Sequence, residues 1–309
     1  MDQFEQLHID VARNATDDFN PFHDPHRWNN IQGNPYSGPI VLGFQLESLA
    51  DYRIERQRQH ESEREATPLP FSNYEFVFAA GLRPGEAFTV QVRRTQHKTG
   101  AAAGTVNRVV MRKTDGSPIM VGSRCDAAQP RFLPDWNPVE AVCLDDVSDR
   151  SFIADGSLFV KRKYMTTSNA KNFLLASLVD QRHYIDELDE RVLFPPVFTS
   201  SLLSCALLER GRIEGCDFES DPHVYVSHHI SVDRRLQQAL RSNDRIDMVV
   251  AAPIARAASP DGVELPLDQA SFIRHRCVGI VAGRGTLFRC DVQTARLRYL
   301  LSSTTPHAG

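Results

Sequence analysis

Three side chains that can take part in acid–base chemistry lie within six residues near the start of the chain: Asp18, Asn20 and His23. Pro21 fixes its own φ and pushes Asn20 out of the α region, which predicts an irregular, rigid loop. Such a loop can aim a carboxylate and an imidazole at one point, as general acid–base catalysis requires. An Asp before Asn-Pro often only caps a turn. Here the segments that follow favour the catalytic interpretation.

The sequence from Asp18 to His23, Asp-Phe-Asn-Pro-Phe-His, resembles the Asp-x-Asn-Pro-x-His signature of the MaoC-like, (R)-specific enoyl-CoA hydratases and dehydratases. That family has the hotdog fold. A second segment, from Tyr36 to Gly43, is similar to the family's approach to its central helix. The two segments occur in the family's order and at about its spacing. The resemblance is specific over residues 11–50 and concerns only the architecture beyond them.

The resemblance implies a role for each residue. Asp18 and His23 are expected to hold and activate the water that adds to, or leaves from, an α,β-unsaturated acyl thioester, while Asn20 orients the pair. Gly43 is expected to open the central helix and to offer its N–H to the thioester oxygen as enolate charge develops. No metal or redox cofactor is implied. The other residues expected to bind substrate are Gly38, Pro39 and Leu42.

The chain departs from the family pattern around these segments. The family usually has His-x-Asp-Pro, whereas His23 is followed directly by Asp24 and Pro25. Asp17 stands where a glycine commonly precedes the signature, and Leu42 stands where a histidine often precedes the helix glycine. The last two differences concern the substrate loop more than the Asp–His pair.

A helix and a set of strands must position these residues. The segment from Gly43 to Ile54 predicts a buried helix, because it has no internal Gly or Pro and carries an apolar stripe. Its polar continuation, residues 55–61, is expected to be solvated. After Pro68 and Pro70 the pattern changes to strand-like runs separated by turns. One helix followed by antiparallel strands predicts an α+β layout, and in a hotdog domain the sheet wraps around that helix.

The second half of the chain repeats this outline. A helix-like run from Phe194 to Glu209 is followed by strand-like runs, and Arg289-Cys290-Asp291 echoes Arg124-Cys125-Asp126. A proline-rich segment, residues 129–138, lies between the halves. The sequence therefore predicts a double hotdog, with two antiparallel sheets each wrapped around a central helix. Residues 1–135 form the predicted domain with the signature, and residues 150–309 form a degenerate domain without it.

The second half does not keep the catalytic pattern. Residues 178–183 contain Asp180 and His183 but no Asn-Pro, and Ser200 is aligned with the helix glycine. A relict catalytic pair and a structural histidine are both possible interpretations, and the structural one is favoured. This half is predicted to be a non-catalytic partner that shapes an acyl tunnel, so that the halves pair as a dimer does. A homodimer of the whole chain is left open.

The charge, the apolar runs and the cysteine and histidine positions argue against several other classes of protein and site. The net charge of −4 provides no basic field for nucleic acid. No apolar run is long enough to span a bilayer, and the N-terminus lacks the layout of a signal peptide. The six cysteines are scattered without a C-x-x-C pair, which favours reduced thiols in the cytoplasm. Adjacent His228 and His229 on a strand would point to opposite faces, which argues against a shared metal ion.

The sequence thus predicts a cytoplasmic hydro-lyase that hydrates a 2-enoyl thioester or dehydrates a 3-hydroxyacyl thioester. The expected partner is an acyl thioester of CoA or of an acyl carrier protein, in fatty acid or polyketide metabolism. Two alternatives remain. One is a hotdog thioesterase that uses Asp18 or another carboxylate as base or nucleophile. The other is a non-catalytic acyl-binding or scaffold protein that has kept the fold.

Overall fold

A computed structural model of the chain describes residues 1–61, 68–100, 103–140, 142–256 and 270–302. The helices are α1 Gln6–Thr16, α2 Gly43–His60, α3 Thr167–Ala176, α4 Pro196–Ser201, α5 Leu203–Ile213, α6 Arg234–Ala239 and α7 Leu297–Ser302. The strands of the first half are β1 Asp2–Gln3, β2 Phe71–Phe78, β3 Ala87–Val92, β4 Gln96–Lys98, β5 Gly104–Lys113 and β6 Pro118–Ala127. Those of the second half are β7 Ser151–Ile153, β8 Leu158–Tyr164, β9 Ile185–Asp186, β10 Arg191–Val192, β11 His223–Asp233, β12 Arg245–Ala251, β13 Ile254–Arg256, β14 Phe272–Val281 and β15 Gly285–Arg296.

The two halves have the same strand order. The main sheet runs β1-β3-β5-β6-β2-β11-β15-β14-β12-β8-β7, with β4 added to β5 and β13 added to β14. Reading outward from the middle, β2-β6-β5-β3 in the first half matches β11-β15-β14-β12 in the second. Neighbouring strands are antiparallel throughout. The predicted double hotdog of the α+β class is therefore confirmed.

The halves join through their middle strands. β2 pairs with β11 from Phe71 opposite Asp233 to Val77 opposite Ser227. The two predicted sheets are consequently one continuous sheet, because the edge that each half leaves open is filled by the other. The largest buried apolar cluster also contains residues of both halves. The division into domains 1–135 and 150–309 stays a prediction.

Helix α2 begins at Gly43, as the sequence predicted, and it ends at His60. Its last turns are not simply solvated. The Arg58 side chain is buried, and its guanidinium donates to Asp126 Oδ2 at 2.6 Å and to Asn107 Oδ1 at 2.7 Å. A buried cation is tolerated there because a carboxylate and an amide satisfy its donors. The expectation of a fully solvated extension was wrong for this residue.

The central helix of the second half is split into α4 and α5, which together span residues 196–213. α2 and α5 end in the same way, at Glu61 and Glu214, and both of these residues have αR backbone angles. Counting back from these matched ends places Pro196 opposite Gly43. The alignment of Ser200 with Gly43 was therefore wrong, since Ser200 lies inside α4.

Candidate active site

The Asp18 carboxylate is buried at the boundary between the halves, with 4% of the residue exposed. Helix α1 ends where Asp17 adopts a left-handed conformation (φ 54°), and this turns the chain inward. Asp18 Oδ1 accepts a hydrogen bond from the Asn20 N–H at 2.9 Å. Its Oδ2 accepts one from the Ser204 hydroxyl, on α5, at 2.6 Å. The carboxylate is thus held by its own loop and by the other half.

Asn20 acts on the backbone that carries the histidine. Its Oδ1 accepts a hydrogen bond from the Phe22 N–H at 3.1 Å and caps a short 3₁₀ turn, Pro21–His23. This is the capping geometry that an Asn before Pro favours. Asn20 therefore fixes the direction in which the imidazole leaves the loop, in keeping with the predicted orienting role.

His23 has a defined tautomer. Its Nδ1 lies 2.8 Å from the Ile40 carbonyl oxygen, and because a carbonyl can only accept, the ring proton is on Nδ1. The lone pair is then on Nε2. Burial lowers the pKa of His23 below 6.5, while the nearby Asp18 carboxylate opposes that shift. The imidazole is consequently neutral at pH 7, as a general base must be.

Gly43 is the first residue of α2, and its N–H has no hydrogen-bond acceptor within the described part of the chain. Gln45 Oε1 instead accepts from the Leu42 N–H at 3.2 Å. A Cβ added at Gly43 would lie 2.8 Å from the Phe78 ring. Glycine therefore serves two purposes here: it admits the Phe78 ring, and it leaves a helix N-terminal donor accessible.

A cavity of about 900 Å³ brings several of these residues together. Asn20, His23 and Gly43 line it, together with Phe78. The opposite wall belongs to the second half and includes Tyr225, Ile273, His275 and Thr294. This volume is in the range of pockets that bind small organic ligands.

The other predicted site residues do not line this cavity. Asp18 lies behind its wall, next to His23. The Leu42 side chain is buried in the core, with 2% of the residue exposed. Gly38 and Pro39 lie on the partly exposed approach to α2. The predicted substrate contacts at these last three positions therefore stay predictions, and Gly43 is the member of that set on the cavity surface.

The structure adds a hydroxyl pair that the sequence did not indicate. Ser204 Oγ and the Tyr225 hydroxyl are 3.1 Å apart. Because the single Ser204 proton goes to Asp18, Tyr225 must donate to Ser204. Tyr225 lines the cavity, so the two hydroxyls connect the buried carboxylate to it. No local signal could have revealed this, since Ser204 is 186 residues from Asp18.

Behind α2, a buried acid–imidazole pair also crosses between the halves. Glu47 on α2 and His228 on β11 are both fully buried, and Nδ1 lies 2.6 Å from Oε1. Burial raises the pKa of Glu47. The His228 ring stacks on Phe44, in the first turn of α2, at 4.7 Å. The pair thus fixes the start of α2 against the second half, and His228 has a carboxylate partner.

Among the residues of the second half that the structure describes, there is no equivalent site. The chain again turns at a left-handed residue, Leu178 (φ 57°), but the next residue is the buried Val179, where the first half has Asp18. Asp180 is exposed and caps its own 3₁₀ turn through the Arg182 N–H at 3.0 Å. Pro196 opens α4 and has no N–H to donate. This half therefore offers neither the carboxylate nor the helix donor.

The fold and the cavity define the class: a double hotdog protein whose cavity is lined by His23, with the Asp18 carboxylate close to that imidazole. Among solved structures, a MaoC-like dehydratase is 12% identical, with a TM-score of 0.56 and 96% of both chains covered. A conserved hypothetical protein from Mycobacterium tuberculosis with a double hotdog fold is 13% identical, with a TM-score of 0.56 over 95% of this chain and 93% of its own. A MaoC-like dehydratase from Phytophthora capsici is 8% identical, with a TM-score of 0.50 over 95% of this chain and 94% of its own.

These likenesses show that the chain shares the double hotdog fold of MaoC-like dehydratases, which the signature segment predicted. No protein-family model and no curated protein sequence matches the chain significantly. Within the described ranges, no helix is both long and apolar enough to cross a membrane.

Proposed function

We propose that this protein is a hydro-lyase that acts on acyl thioesters, hydrating a 2-enoyl thioester or dehydrating a 3-hydroxyacyl thioester. The observation that carries the proposal is the tautomer of His23. Its Nδ1 proton is held by the Ile40 carbonyl, which leaves the Nε2 lone pair for a water molecule. The ring lies on the same cavity as the unbonded N–H of Gly43.

Each side chain then has one task in the hydration direction. His23 Nε2 accepts a proton as water oxygen bonds to C3 of the enoyl group, and the Asp18 carboxylate stabilises the imidazolium that forms. Negative charge moves to the thioester oxygen, where the Gly43 N–H and the start of α2 stabilise it. Return of the proton to C2 completes the addition. Dehydration follows the same steps in reverse.

The partner in this proposal is an acyl thioester of CoA or of an acyl carrier protein. The acyl group would lie in the cavity between the first-half site and the second-half wall. A cytoplasmic location fits the six cysteines, all of which are free thiols in the structure. Assembly of the whole chain into a homodimer stays open, and the proposal does not depend on it.

The test uses a panel of 2-enoyl-CoA thioesters of increasing chain length, and each reaction is monitored by two readouts. Loss of the conjugated enoyl absorbance measures hydration, and a thiol reagent measures release of CoA. The proposal expects absorbance loss without thiol release. Thiol release with the double bond intact would support the thioesterase alternative and refute ours. No change in either signal, with acyl-CoA bound, would support a binding protein instead.

A further inference from the structure

The second-half wall of the cavity changes from apolar to polar along its strands. Side chains that share one face of β11, β15 and β14 lie opposite one another in cross-strand rows. The innermost of these rows is apolar and buried, and the ones nearer the ends of β11 and β15 are polar. From the inside outward, the rows are Ile230, Cys290, Cys277; His228, Val292, His275; Tyr225, Thr294, Ile273; and His223, Arg296.

His275 is the polar side chain on this wall without a partner. Its ring lines the cavity, and its buried Nδ1 has no hydrogen-bond partner within the described part of the chain. Burial holds the pKa of His275 down at about 3, with His223 and Arg210 adding to the shift. The ring is therefore an uncharged hydrogen-bonding group at neutral pH.

The charges around His275 are already compensated. Arg210 is buried and bonds to Glu214 Oε1 at 2.9 Å. Arg296 lies 3.2 Å from Asp221. These ion pairs leave no net charge to attract a carboxylate on the ligand. The wall is therefore suited to a polar but uncharged group.

A plain alkyl chain in this cavity would remove water from His275 without replacing its hydrogen bond. An unmade buried hydrogen bond is unfavourable, whereas a ligand oxygen would satisfy it. We propose that the acyl group bound here carries a hydroxyl or keto group that hydrogen-bonds to His275. The cavity then selects oxygenated acyl thioesters over alkyl ones. This inference rests on the proposed function only for the thioester end of the ligand.

The test uses non-hydrolysable thioether analogues of acyl-CoA, so that binding is measured apart from turnover. A series carries a hydroxyl or keto group at each successive carbon beyond C4, and each analogue is compared by calorimetry with the alkyl analogue of equal length. We expect one position to bind about 10-fold more tightly than its alkyl match. H275F should reduce that ratio to about 1, whereas H275Q should retain part of it because an amide still forms hydrogen bonds.

I273V is the matched control, because it alters an apolar cavity residue two positions away on the same strand and should keep the ratio. Thermal melts check that the variants fold. Equal binding of alkyl and oxygenated analogues, or a ratio unchanged by H275F and H275Q in folded protein, would overturn the inference. If no analogue binds, both the inference and the proposed function fail. A clear preference without enoyl turnover would sustain the inference and refute only the proposed hydro-lyase activity.

Discussion

The two halves share a strand order but differ at the two places where hydration chemistry would need them to be alike. The first half has a buried carboxylate after its first helix, and the second has Val179 there. The first half opens its central helix with Gly43, and the second opens it with Pro196, which has no N–H. The comparison teaches that the first half holds the residues of the proposed chemistry, while the sheet of the second half forms a wall of the cavity.

The largest expected effect comes from separating the halves. Residues 1–135 alone would leave β2 without β11 and would open the shared apolar cluster. We expect this fragment to be poorly soluble or to self-associate, which size-exclusion chromatography and thermal melting can measure. A monomeric fragment with a cooperative melt would show that the halves are independent domains after all.

The next test contrasts the two aspartates. D18N should fold but lose about 10²–10⁴-fold in hydration rate, because an amide cannot stabilise the imidazolium of His23. D180N is the matched control, since that carboxylate is exposed and caps a turn outside the cavity. Its rate should stay close to that of the parent protein. A D18N variant whose hydration rate stays within a few-fold of the parent's would contradict the catalytic assignment of Asp18.

The proposed role of the Gly43 N–H can be tested by giving α2 the residue that opens α4 in the second half, a proline. G43P removes the N–H, and Pro is tolerated at the first position of a helix. The extended backbone of Leu42 suits a following proline. We expect a loss of about 10²–10³-fold in turnover, as for other oxyanion donors.

G43A is the control for this variant, because it keeps the N–H while adding the Cβ that meets Phe78. The loss of turnover in G43A should be much smaller. Thermal melts should show that both variants are folded. If the proline and alanine variants lose turnover equally, the close Phe78 contact explains the glycine and the N–H is not the donor.

The smallest expected effect tests how far the second half reaches into the site. S204A removes the hydroxyl that bonds to Asp18 Oδ2 and should lower kcat by about 10-fold, in line with one hydrogen bond to a charged group. S201A is the matched control, because Ser201 is equally buried but bonds only to the Phe198 carbonyl. Equal rates for the two variants would mean that the second half does not assist the carboxylate.

The local parts of the site were predictable from sequence, and the parts made by tertiary contact were not. The Asn-Pro loop and the start of α2 follow from backbone preferences of adjacent residues. Ser204, Tyr225 and His275 come from the other half, and nothing in their immediate sequence marks them. The strand pattern predicted two sheets, because periodicity cannot tell an edge from a paired middle strand. Misaligning Ser200 with Gly43 had a similar cause, since helix ends are poorly defined by sequence.

The pairing of β2 with β11 also bears on how the chain is made. β2 is complete at Phe78, but its second neighbour is not synthesised until about 150 residues later. Through that interval the nascent chain carries a strand with at least one side unpaired. The first half can therefore complete its sheet only late in translation. Incomplete chains that end before Asp233 are expected to expose the open side of β2 to chaperones and proteases.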